Sequence, residues 1–132
     1  MPYELTFTYP IVSAGAADYI NDCCYGGDVI TARLLPLVTN RYEEVDTGQE
    51  DWGWFIWFRH GSHRLAIDVH CHDIPTGAFA IHLVSRTPRW FFRDVVADVP
   101  ELDVVLTLVK EEISAWLGVE PIVTTLDPSE IA

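Results

Sequence analysis

The chain has 132 residues, of which 49% are hydrophobic and 12% aromatic, and its formal net charge at pH 7 is -12. This length suits one domain with a sizeable core over residues 1–132, while the acidity argues against DNA or RNA as a partner, because Lys and Arg contacts to phosphate supply most of that affinity. The apolar runs are too short to span a bilayer and the first residues lack a signal-peptide pattern, so we expect a cytoplasmic protein with no membrane contact.

The first predicted element is a strand. Residues 3–9 alternate apolar and polar side chains, which is typical of a half-buried strand. After it, Ser13 is expected to cap a short helix that runs through Tyr25 and is ended by Gly26 and Gly27.

A second helix is predicted from Asp28, as its cap, to about Asn40. Pro36 lies within this helix, and a proline costs about 3 kcal/mol in a regular helix interior. We therefore expect a kink or an early end there. Residues 43–51, with Gly48 among several acids, predict a solvated loop or a loose edge ribbon.

From Trp52 onward the sequence predicts an antiparallel meander. Gly61-Ser62 lies between His60 and His63, and a glycine at the first central position of a two-residue turn is what a type II′ hairpin requires. Pairing His60 with His63 fixes the register of the hairpin. The expected core-facing pairs are Phe58–Leu65, Ile56–Ile67, Trp54–Val69 and Trp52–Cys71.

The third strand of the meander is predicted over Ala78–Arg86. Its apolar residues alternate with polar and small ones, so one side of the strand continues the core and the other continues the outer side of the hairpin. The expected register across this second turn is Cys71–Phe79, Asp68–His82 and His70–Ala80.

The last part of the chain predicts a helix and an edge strand. Residues 94–100 are expected to be a linker, and Asp98 with Glu101 resembles a capping box at the start of the helix. Gly118 is expected to end the helix, and residues 119–126 form a final strand that contains a proline. A wide apolar stripe at helical spacing supports this helix: Leu102, Val105, Leu106, Val109, Ile113, Trp116 and Leu117.

These elements predict an α+β fold. An antiparallel β-meander with about four to five strands in all is packed on one face by two to three helices, in the order β-α-α-β-β-β-α-β.

Positive charge and histidine are concentrated in one stretch of the chain. Residues 52–93 hold all five histidines and five of the seven arginines with only two acids, giving +3, whereas residues 1–51 carry -7 and residues 94–132 carry -8. By the predicted alternation, most of these side chains line one outer sheet face. The candidate binding residues on that face are Trp57, Arg59, Arg64, His70, His72, His82 and Arg86.

One hypothesis for this face is a metal site. Alternate positions of a strand point the same way, and imidazole with carboxylate suits zinc or iron, although neighbouring ligands on a strand are roughly 6.5 to 7 Å apart at the backbone. The candidate ligands are Asp68, His70, His72 and His82. A polar sheet face with an Asp68–His82 pair is the simpler reading.

A second hypothesis is acid–base catalysis. His82 oriented by Asp68, or His70 alone, would move a proton, and Arg59, Arg64 and Arg86 would bind an anionic substrate. The sequence contains no G-x-S-x-G, no H-E-x-x-H and no phosphate-binding glycine loop, and no cofactor is predicted.

Three further features are interpreted structurally. The cysteines Cys23, Cys24 and Cys71 are odd in number and are expected to be reduced, and the first two lie near acids, which do not lower a thiol pKa. Gly26-Gly27-Asp28 is read as a stop and a turn rather than an anion site. The run 89–93, Arg-Trp-Phe-Phe-Arg, is expected to pack under the last helix or to form a contact patch.

The sequence therefore favours a small acidic protein-binding module without catalysis, immunity- or antidote-like towards a basic partner. A homodimer is a second expectation, because basic sheet faces and acidic helices are complementary. The alternative is an enzyme, or a protein that binds a small anion or a metal on the histidine and arginine face.

Overall fold

An antiparallel sheet covered on one face by two helices forms the described part of the chain. The computed structural model describes residues 2–10, 25–73, 77–88, 94–96 and 99–127. In chain order the elements are β1 (Tyr3–Thr8), α1 (Gly27–Thr39), β2 (Glu43–Glu50), β3 (Gly53–His60), β4 (His63–Asp73), β5 (Ala78–Pro88), β6 (Asp94–Val96), α2 (Glu101–Leu117) and β7 (Ile122–Thr125).

The sheet places six strands side by side in the order β2-β3-β4-β5-β1-β7, and the short β6 pairs with the end of β5. The predicted α+β class and meander are confirmed, with more strands than expected. Strand β1 lies inside the sheet, where it pairs with β5 on one side and with β7 on the other.

The predicted register of the meander is confirmed from His60–His63 to Trp54–Val69. Gly61 has φ 61 and Ser62 keeps a negative φ, as the predicted type II′ turn requires. The second register is confirmed as well, with Cys71 opposite Phe79, Asp68 opposite His82 and His70 opposite Ala80.

The core lies between the sheet and the helices. Helix α1 packs on β3 and β4, and α2 packs on β5 and β1. Ile30, Ile56, Ile67 and Ile113 are fully buried there, and burial of such a side chain contributes roughly 1.5 to 3 kcal/mol. None of the described helices is long and apolar enough to cross a membrane.

Helix α1 differs from its prediction at its start, whereas its end at Thr39 agrees with the predicted bound of about Asn40. It begins at Gly27, after Gly26 in a left-handed conformation, and Asp28 lies in the first turn instead of capping it. The indole of Trp54 lies directly against Gly27, which explains a glycine at this position. The helix continues past Pro36 to Thr39, so the early end was wrong.

Most of the first predicted helix lies outside the described residues. That helix was expected from Ser13 through Tyr25, and of it only Tyr25 is described, in a turn before α1. Cys23, Cys24 and the run 89–93 also lie outside the described residues.

Two segments for which the sequence did not clearly predict a strand are strands. Residues 43–50 form edge strand β2, so the loop alternative was wrong and the edge alternative was right. Part of the expected linker forms β6. The predicted capping box does not start α2, because Pro100 occupies the cap position and no side chain caps it. Asp98 itself lies outside the described residues.

The end of α2 agrees with its prediction. Gly118 ends α2 with φ 68, and its N–H donates to the carbonyl oxygen of Ser114 at 2.9 Å. The last strand is β7, shorter than expected and paired on one side with β1.

Candidate functional site

The face of the sheet that points away from α1 and α2 is called the outer face. It carries polar and aromatic side chains interleaved with small apolar residues, and Ala66, Ala80 and Val84 are buried there. The larger described side chains of this face are Glu4, Phe55, Trp57, Arg59, Arg64, Asp68, His70, His72 and His82.

An aromatic pair, Phe55 and Trp57, occupies one half of the outer face. The two rings stack with centroids 4.0 Å apart and planes at 24°. Gly48 on β2 lies opposite Phe55, and a Cβ there would come within 3.1 Å of the phenyl ring. The missing side chain of Gly48 therefore gives the Phe55 ring room to lie beside β2.

The indole of Trp57 is held in one orientation. Its Nε1–H donates to Oδ1 of Asp68 at 3.2 Å, while Phe55 supports the ring from one side. Trp57 is nevertheless 38% exposed, whereas Phe55 is 7% exposed. Large aromatic area with its polar atom satisfied and more than a third of its surface in water is typical of a contact residue.

The other half of the outer face carries a histidine row, defined as Glu4, His82, His70 and His72 with Trp52 beside it. Nε2 of His82 lies 2.8 Å from Oε2 of Glu4. The ring of His70 lies 4.8 Å from that of His82 and 6.2 Å from that of His72, between centroids. Pairing of β1 with β5 brings Glu4 opposite His82.

The environment of His70 keeps its imidazole neutral at physiological pH. Burial above all, together with the neighbouring His82 and His72, lowers the pKa of His70 from 6.5 to about 4. The Trp52 ring lies 4.9 Å away and covers part of the imidazole. His70 is therefore suited to accept or donate a neutral hydrogen bond, not to attract an anion by charge.

The structure divides the predicted metal ligands between two groups. Asp68 accepts from Trp57, whereas the three histidines lie in the histidine row. Among the described residues, no group of three or more His, Cys, Asp or Glu is arranged to hold a metal ion. The metal site stays a prediction without structural support.

His82 of the predicted catalytic pair contacts a different carboxylate from the one that was predicted. His82 has Asp68 as its cross-strand neighbour, as expected, but its Nε2 pairs with Glu4. A carboxylate that accepts from one ring nitrogen orients the imidazole and fixes its tautomer. This His82–Glu4 pair is the arrangement on the outer face that comes nearest to an acid–base unit.

An acidic edge borders the aromatic pair. It consists of the acids on and just after β2: Glu43, Glu44, Asp46, Glu50 and Asp51. Glu44 forms an ion pair with Nε of Arg59 at 2.7 Å between exposed side chains, which is worth about 0 to 1 kcal/mol. Asp46 is exposed and lies directly opposite Trp57.

The predicted binding residues are therefore brought together only in part. Trp57 and Arg59 border the acidic edge, Arg64 is exposed on the next strand, and the three histidines form the row. Arg86 lies in register with Arg64 on β5, but its side chain lies outside the described part.

Trp52 was expected to face the core opposite Cys71, which was wrong. It lies in the turn before β3, and its ring packs at a tilt of 33° against His70 of the outer face. The strand begins only at Gly53, whose backbone lies tightly against Val69, so the strict alternation does not extend to Trp52. Cys71 is a free thiol packed at the margin of the core.

Glu4, Asp46 and Gly48 were missed as site residues. The alternation of residues 3–9 placed Glu4 on a polar strand face, but nothing local indicated that β1 pairs with β5. Gly48 and Asp46 belong to a segment whose strand character was left open.

No family model, curated protein or solved structure matches this chain.

Proposed function

We propose that this chain is a protein-binding module that contacts a basic protein through the outer face of its sheet, without catalysing a reaction. The observation that carries the proposal is Trp57, which is 38% exposed, stacked on Phe55 and hydrogen-bonded to Asp68. Tryptophan is enriched at the centres of protein interfaces, where a rigid ring buries a large area at little entropic cost.

Charge supports a basic partner. The chain carries -12, and the acidic edge lies beside the aromatic pair. Opposite charge increases the rate of encounter, so a basic protein would be drawn to this side of the molecule. A small acidic antidote that occupies the surface of a basic enzyme or toxin in the cytoplasm fits these features.

The partner is expected to approach the face of the sheet instead of extending its edge. Strand β2 has a register shift between Glu43 and Asp46, and Glu44 has φ 53, so its edge is irregular as well as charged. Both features oppose addition of another strand. The aromatic pair lies on the face of the sheet, where neither the irregular backbone nor the charge of this edge blocks contact.

Site-specific photo-crosslinking tests the proposal. A benzoylphenylalanine replaces Arg64, which is exposed on the outer face, and the matched control carries it at Glu111, which is exposed on α2. We expect a protein to be captured from position 64 and not from position 111. The captured protein, once purified, should be basic and should bind the wild-type chain with a Kd that rises steeply with salt.

Three outcomes contradict the proposal. Capture from both positions alike would indicate non-specific collision, and an acidic captured protein would contradict the charge argument. Capture of a second copy of this chain alone would identify the outer face as a homodimer interface.

A second candidate is a small-molecule site at the histidine row. The specific observation is the 2.8 Å contact between His82 and Glu4 beside the neutral His70. The imidazole resonances of His70 and His82 would move together on titration with a small hydrogen-bonding ligand such as acetamide or imidazole. If none of these moves them, the second candidate loses its support.

A further inference from the structure

We infer that the outer face receives an arginine side chain of the partner, seated between the indole of Trp57 and the carboxylate of Asp46. This inference rests on the proposed function and names the chemical group that it recognises. It follows from the way the aromatic pair and the acidic edge meet.

Trp57 and Asp46 share one side of the sheet. They are directly opposite in the pairing of β2 with β3, and such cross-strand neighbours have Cβ atoms about 4.5 to 5.5 Å apart. Both residues are exposed. A planar cation above the indole would therefore lie within reach of the carboxylate.

The indole is arranged to favour a cation. Its Nε1–H donates to the carboxylate of Asp68, which makes the ring more electron-rich, and Phe55 supports it on one side. A guanidinium that approaches from solvent gains a cation–π contact. Asp68 is only 8% exposed and holds the ring, whereas Asp46 is exposed and lies directly opposite Trp57.

The chain's own arginine at this place has another partner. Arg59 follows Trp57 on the outer face of β3, and its Nε pairs with Glu44 at 2.7 Å. An incoming arginine suits the position better than a lysine, because a guanidinium stacks flat on an indole and donates to a carboxylate through its fork at the same time.

A hexa-arginine amide peptide serves as the probe, and NMR of the 15N-labelled chain is the readout. We expect the indole N–H resonance of Trp57, assigned by its loss in Trp57→Leu, to shift on titration. Asp46→Asn should weaken binding about fivefold, a factor in the range of one cation–π or ion-pair contact. Hexa-lysine should bind more weakly than hexa-arginine, and hexa-glutamate should leave the spectrum unchanged.

Glu111→Gln is the matched control, because it removes the same charge from an exposed site on α2, across the sheet from Trp57. It should weaken peptide binding less than about twofold. Equal weakening by Asp46→Asn and Glu111→Gln would overturn the inference, as would an unmoved Trp57 indole resonance at saturating peptide. Either result would contradict the arginine site alone, because the crosslinking experiment tests the proposed function independently. Failure of the crosslinking experiment would instead contradict protein binding at the outer face.

Discussion

Gly27 shows how one missing side chain fixes the position of a helix. An added Cβ would lie 2.4 Å from Cδ1 of Trp54, so α1 can approach the sheet only with a glycine there. We expect Gly27→Ala to lower the free energy of unfolding by about 1 to 3 kcal/mol, despite the better helix propensity of alanine. Urea denaturation measures this change.

Thr107→Ala on α2 is the comparison, because Thr107 is exposed and its replacement raises helix propensity. It should leave stability unchanged or slightly higher. A Gly27→Ala variant as stable as Thr107→Ala would mean that Trp54 moves aside without cost.

His70 should make the free energy of unfolding depend on pH. Because the folded chain lowers the pKa of His70 from 6.5 to about 4, the unfolded chain binds a proton there at a higher pH than the folded chain does. The part of the free energy of unfolding that depends on a neutral His70 is fully present above about pH 6.5 and is lost as the pH falls towards 4. We expect a loss of roughly 2 kcal/mol from this residue over that range, allowing for its partial exposure.

The measurement is urea unfolding at pH 7 and near pH 4 for the wild type and for His70→Gln, with an NMR titration of the ring. The variant should lose this part of the pH dependence. A His70 resonance that titrates with a midpoint near 6.5 would contradict the burial argument.

At the scale of elements, α1 tolerates Pro36 because this residue lies on the solvent-exposed side of the helix. Pro36 and Ala32, whose carbonyl would accept the missing hydrogen bond, are both exposed, so water can satisfy that oxygen. We expect Pro36→Ala to raise the free energy of unfolding by about 1 to 2 kcal/mol, less than the interior cost because the variant also frees the unfolded chain. Urea denaturation checks it, and an unchanged or lower stability would show that Pro36 carries no strain.

The pattern of apolar, polar and turn residues was enough to predict those elements whose contacts join residues close in sequence. The turn at Gly61-Ser62 fixed β3 against β4, and the alternation then placed Trp57, His70 and His82 on one face. Strand β2 was only an alternative, because its many acids oppose a strand until β3 is present as a partner. The contact between Glu4 and His82 joins residues far apart in sequence, and no periodicity encodes such a pairing.

At the scale of the whole molecule, the net charge is -12, and the acidic edge with its five acids and α2 with four acids against Lys110 carry much of it. Repulsion among these acids opposes folding, while contacts such as Arg33 with Glu112 at 2.7 Å offset part of it. We expect added sodium chloride, up to about 0.5 M, to raise the free energy of unfolding by roughly 1 kcal/mol. Urea denaturation at several salt concentrations tests this, and a fall in stability would mean that the ion pairs outweigh the repulsion.

The interior position of β1 has a consequence for the order of folding. The meander from β2 to β5 closes through short connections, whereas β1 pairs Tyr3 with Leu83 and with Thr125. Loops of that length close slowly, so we expect β1, although translated before its partners, to join a sheet that is already largely built. Until then the apolar side of β1 is exposed to water. We expect repulsion between the acidic residues of neighbouring nascent chains to limit their association through this strand.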